Sequence, residues 1–135
     1  MSGSGGVAYA AARGVSGAFA QVVEQARQAL AEQGFGIMSE IDVAAALKKR
    51  LGVDYPRTLI LGACNPTLAH EALQIVPDVS VLMPCNVVVR EGSQGGVEVA
   101  IVDPVALARV VGHPGFDAIA AEAGRRLALA LAAIP

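Results

Sequence analysis

The sequence has no tryptophan, three phenylalanines, two tyrosines, two cysteines and two histidines, and no apolar run of membrane-spanning length. Each scarcity excludes something. With so few aromatic rings there is no stacking platform for bases, and charges of both signs are interspersed at a net −2, so no nucleic-acid partner is expected. A helical membrane span needs about 20 consecutive apolar residues. The hydrophobic 54% is largely alanine and valine in short amphipathic segments, so no membrane partner is expected either. The start "MSGSGGVAYA" has no basic stretch ahead of an apolar core, and with two cysteines this predicts a cytoplasmic location and reduced thiols, not a disulfide framework. Phosphate-loop, dinucleotide-binding, paired-histidine and nucleophile-elbow patterns are all missing.

What is present is enough chain, 135 residues, for one domain that buries its own core without disulfides or a structural metal. Residues 1–6, "MSGSGG", are expected to be flexible, and residues 7–135 to form the domain. Residues 7–12 read as a weak strand. Ser16 is a candidate cap for a helix whose Phe19, Val22, Val23, Ala26 and Leu30 follow helical spacing, ended by Gly34. Residues 35–41 alternate as a strand, and Asp42 caps a short helix through Leu51 that Gly52 closes. Its "KKR" end (Lys48, Lys49, Arg50) suits the negative pole of the helix dipole.

"TLILGAC" (58–64) is apolar on both alternating faces, as a central strand covered on both sides would be. Asn65 followed by Pro66 is a helix start, with Leu68, Ala69, Ala72, Leu73 and Val76 on one face and Thr67, His70, Glu71 and Gln74 on the other. Residues 79–83, 86–91 and 97–102 read as three strands, the last two a hairpin around "GSQGG". Asp103–Pro104 and His113–Pro114 repeat the cap-then-proline signal. The closing helix buries Phe116, Ile119, Ala120, Ala123, Leu127, Leu131 and Ile134.

These elements predict an α+β two-layer sandwich: a mixed, mostly antiparallel sheet with helices packed on one face. The opposite face, carrying one side of strands 58–64 and 86–91, is then too apolar to stay in water, and a homodimer is the economical way to cover it.

The two cysteines sit in similar settings, "GACNP" and "MPCNV". Cys64 ends a strand just before a helix N-terminus, where the dipole and free amides favour a thiolate. Cys85 follows Pro84 at the mouth of the next strand. If the two strands are neighbours, the thiols share one end of the sheet, and Asp103 joins them only if its strand ends on that side. Two thiolates with Met83 or His70 as further ligands would suit Cu(I), Zn or sulfane-sulfur chemistry. The bland alternative is that the cysteines are core residues of a structural or interaction module, and that Asn65 and Asp103 serve only as caps. No general acid or base is marked by the sequence.

"GFGIMSEIDVAAALKKRLG", "LGACNPTLAHEAL", "MPCNVVVRE" and "IVDP", in that order over residues 34–104, together resemble the family known as domain of unknown function 302. The resemblance implies a compact α/β domain that forms dimers, and it marks Cys64, Asn65, Pro66, Ala69, Pro84, Cys85, Asn86, Asp103 and Pro104 as motif positions. It implies no activity. The expectation is a small dimeric protein with a ligand-binding site at Cys64, Asn65, Cys85, Asn86 and Asp103, taking a soft metal (on Cys64 and Cys85), a sulfur species or a small molecule.

Overall fold

The structure, a computed structural model, describes residues 7–92 and 95–135. The flexible start expected for residues 1–6 lies outside these, as do Ser93 and Gln94 of the hairpin loop. Five strands form one sheet in the order β1-β5-β4-β3-β2: β1 Ala10–Val15, β2 Gly36–Asp42, β3 Thr58–Cys64, β4 Cys85–Glu91 and β5 Val97–Val102. Every pairing is antiparallel, with none of the parallel pairing a mixed sheet admits. The helices are α1 Phe19–Glu32, α2 Val43–Leu51, α3 Pro66–Ile75, α4 Pro104–Val111 and α5 Pro114–Ala133, with a 3-10 helix at Pro77–Leu82.

Strand register sorts the side chains between the faces. Leu61, Val87 and Ile101 stand in one cross-strand row and Leu59, Val89 and Val99 in another. Both rows pack into the main core against Val22, Ala26 and Leu30 of α1 and Leu127, Ala130 and Leu131 of α5. Arg13 donates to the carbonyls of Leu131 and Ile134 at 2.6 and 2.5 Å, so the edge strand β1 satisfies the last carbonyls of α5. On the opposite face Ile41, Ile60, Val88, Ala100 and Ala12 form one row across all five strands.

Four local expectations are corrected. Residues 79–83 are not a strand: 79–82 belong to the 3-10 helix and Met83 follows it, because Pro77 presets a helical turn and Ser80 Oγ donates back to the Pro77 carbonyl. β1 begins three residues later than expected, where Ala10 pairs with Val102. Ser16 is not the α1 cap; Ala18 holds that position, while the Ser16 N–H donates to the Pro135 carbonyl and Gly17, at φ +110°, makes the turn. Leu73 is exposed, because α3 packs against α5 and the 3-10 helix rather than lying flat on the sheet.

Candidate functional site

The antiparallel β3–β4 pairing brings the cysteines together. Ala63 lies opposite Cys85, so Cys64 at the end of β3 is one residue from register with Cys85 at the start of β4. β5 ends on this side too, since Ile101 lies opposite Val87. Three chain reversals therefore gather at one end of the sheet, and two of them launch helices by the same local chemistry. Asn65 Oδ1 accepts from Leu68 N at 3.1 Å and Asp103 Oδ1 accepts from Val105 N at 3.0 Å, each followed by proline at the first helical position. His113 Nδ1 repeats the pattern for α5, accepting from Gly115 N at 2.9 Å. The third reversal runs through Met83 and Pro84, whose peptide bond is cis.

These helices close over a cavity of about 70 Å³. Ala63, Cys64 and Cys85 form its floor, and Phe35 reaches it from the approach to β2. Leu68, Ala69 and Ala72 of α3 make one wall, and Phe116, Ala120 and Ala123, at helical spacing on α5, make the opposite one. Met83, Pro84, Pro104 and Leu107 add to it, with Val79 and Leu82 of the 3-10 helix. The space exists because short alanines face it from two helices. It lies where the main core meets a second cluster of Ala72, Val79, Ala108, Phe116 and Ala120.

Neither thiol is set up as a thiolate. Burial raises the Cys64 pKa, and burial, followed by the proximity of Cys64, pushes Cys85 up to about 11. This overturns the expectation that the α3 N-terminus lowers Cys64. The Leu68 amide N–H that would serve a thiolate is taken by Asn65 Oδ1, and no cationic side chain lines the cavity. Both cysteines are free. Strand alternation sends Ala63 and Cys85 toward the main core and Cys64 the other way, so both cysteines line one cavity only because both strands stop there.

The expected site residues divide into two groups. Cys64, Cys85 and Asn65 line the cavity, and so does Met83. Asn65 is 7% exposed, and its side chain lies against Gly34, where a Cβ would stand 2.9 Å from Asn65 Nδ2. Asn86 is exposed on the uncovered face, opposite Gly62, and does not line the cavity. Asp103 reaches the same end of the sheet, but its carboxylate caps α4 and its neighbour Pro104 enters the wall instead. His70 is exposed on α3 and outside the lining. Phe35, Leu107 and Phe116 line the cavity without any mark in the sequence beyond their apolar spacing.

Among the described residues no three His, Cys, Asp or Glu side chains come together, and no helix is long and apolar enough to cross a membrane. No curated protein matches the chain. The fold is similar to that of a crystal structure of an uncharacterized conserved protein DUF302 from Bacillus stearothermophilus, with a TM-score of 0.89 at 26% sequence identity, covering 96% of this chain and 100% of that one. The family model for domain of unknown function DUF302 matches residues 12–134, well beyond the motif-bearing stretch 34–104. With nearly the whole domain matched in sequence and in fold, the chain belongs to the DUF302 family.

Proposed function

We propose that this chain is a small ligand-binding protein whose ligand sits in the cavity at the joined ends of β3 and β4, against Cys64 and Cys85. The observation that carries the reading is the convergence of both cysteines on one cavity, whose apolar walls come from four helical elements. Asn65 and Asp103 shape the site through the helices they cap, and Asn86 through the β4 backbone beside Pro84 and Cys85. The ligand is a soft metal, a sulfur species or a small apolar molecule, since no charged side chain faces it. Two free thiols suit a reducing cytoplasm, where we place the protein.

The test is native mass spectrometry of protein prepared without oxygen or chelators, with the Cys64→Ser variant alongside. Bound mass that is lost in the variant, with its circular dichroism unchanged, supports the site. Uptake that persists in the variant removes Cys64 from it. A second reading, a structural module in which the cysteines only fill space, draws on the burial of Cys85 against the main core and its raised pKa. It predicts that neither thiol is alkylated until the protein unfolds.

We further propose that the uncovered face pairs with a second copy of the chain. The row Ile41, Ile60, Val88, Ala100 and Ala12 is continuous and apolar; Ala100 and Ala12 are buried, but Ile41 is 50% exposed and Met38, on the same edge strand, 72%. Val88→Lys should then yield a folded monomer in sedimentation analysis. A wild-type protein that is monodisperse and monomeric at micromolar concentration rules the pairing out.

A further inference from the structure

A ligand held at Cys64 and Cys85, the reading this step rests on, can be narrowed in class by what else the cavity offers. Its lining contains four side chains with heteroatoms: Cys64, Cys85, Met83 and Asn65. The first three present sulfur. The histidines and carboxylates that would make a harder site are engaged elsewhere: His113 Nδ1 and the Asp103 carboxylate are helix caps, and His70 is exposed outside the lining.

Coordination chemistry then separates the metals. Zn²⁺ in closed protein sites takes four ligands from cysteine, histidine and carboxylate, and this lining leaves it two short. A d¹⁰ monovalent ion is satisfied by two or three sulfurs, and thiolate with thioether is the set that selects Cu(I). The cavity, about 70 Å³, is small beside the roughly 300–1,000 Å³ of ordinary small-molecule sites, so it favours a bare ion over an organic ligand.

Asn65 belongs to the wall rather than to the ligand set: its Oδ1 is occupied by the Leu68 N–H and its Nδ2 lies against Gly34.

We infer that the cavity is a site for a monovalent soft metal ion of the Cu(I) class, bound by Cys64 and Cys85 with Met83 as third sulfur. Binding is a ligand exchange without redox change. The ion enters, both thiol protons leave to solvent, and two metal–sulfur bonds replace two S–H bonds. The loaded site carries a single negative charge.

The experiment is an anaerobic titration of the reduced full-length protein with Cu(I) against a chromophoric Cu(I) chelator, repeated with Zn²⁺ against a zinc indicator. X-ray absorption of the loaded protein then reads the ligand shell. One Cu(I) per chain with a sulfur-only shell, no competing Zn²⁺, and stoichiometry lost in Cys64→Ser and Cys85→Ser are expected. Met83→Leu keeps the apolar volume but removes the third sulfur, and should weaken Cu(I) binding without unfolding the protein. It keeps the test open if Cys85→Ser fails to fold. Zn²⁺ binding as tightly as Cu(I), or nitrogen or oxygen in the shell, overturns the inference. Absence of Cu(I) binding overturns it too. If native mass spectrometry still finds a Cys64-dependent adduct, the thiol site stands with another ligand, and if it finds none, both readings fall.

Discussion

The two hydrophobic assemblies of this domain use similar residues and end up different. On the covered face of the sheet, Leu61, Val87, Val89 and Val99 project in register from neighbouring strands and meet Val22 and Leu30 of α1 with almost no exposed surface. Beyond the sheet's end the second cluster is helix against helix, with Ala72, Ala108 and Ala120 at the contacts. Strands supply a dense, regular row of branched side chains. Helices that cross at a sheet end meet at few points, and alanines there leave a gap. The cavity sits at the seam between the two, and the thiols lie on it from the strand side.

That contrast can be broken most severely in the main core. Leu61→Ala, at a fully buried position, should cost about 2–5 kcal/mol in urea unfolding. A loss under about 1 kcal/mol would mean the sheet face is not the principal core.

Next in size is a pH effect from Cys85. Its pKa is raised to about 11 from the ordinary 9.0, first by burial and then by Cys64. The folded state therefore holds a proton that the unfolded state gives up. The associated stability is intact below about pH 9 and is lost as pH rises toward about 11, by on the order of 2 kcal/mol. Urea midpoints across that window should fall for wild type and fall less for Cys85→Ala. Parallel slopes would place Cys85 in water.

Smaller still are the caps. Asn65→Ala removes a cap buried in the cavity wall, and Asp42→Ala removes one on the exposed α2, where Asp42 Oδ1 accepts from Ala45 N at 2.9 Å. Both losses lie within about 0.5–2 kcal/mol, with Asn65 at the upper end because its amide is also packed against Gly34. Equal losses would show that the second cluster adds nothing to the cap.

The least costly change should be the most informative. Ala69→Val adds two methyl groups facing the cavity and should move stability by about 1 kcal/mol or less, while slowing alkylation of Cys64 in the folded protein. Unchanged alkylation would mean the thiol is reached by another path.

Much of this was legible in the residues. The Asn65–Pro66, Asp103–Pro104 and His113–Pro114 starts all function as helix caps, and β3, β5 and α2 have the expected bounds, because capping and alternation are local physics. The segment 79–83 misled because its apolar alternation is equally compatible with a short helical turn, and only the missing strand partner and Pro77 decide between them. Ser16 misled because a candidate cap was available two residues too early, while Gly17 redirected the chain. The thiolate expected at Cys64 failed for a non-local reason: α3, α4 and α5 closed apolar walls beside the sulfur, and burial raises its pKa.

The sequence by itself determined the element order outside residues 77–82, the helix starts after Asp42, Asn65, Asp103 and His113, the two-faced strands and the pairing of each cysteine with a turn, since all of these follow from interactions within a few residues. Only the tertiary structure decided that β3 and β4 are antiparallel neighbours, that Cys64 and Cys85 line one cavity, and that Met83 lines it with them while His70 and Asn86 do not. Which strand ends are adjacent depends on sheet order, a property of the whole packed chain that no local pattern encodes.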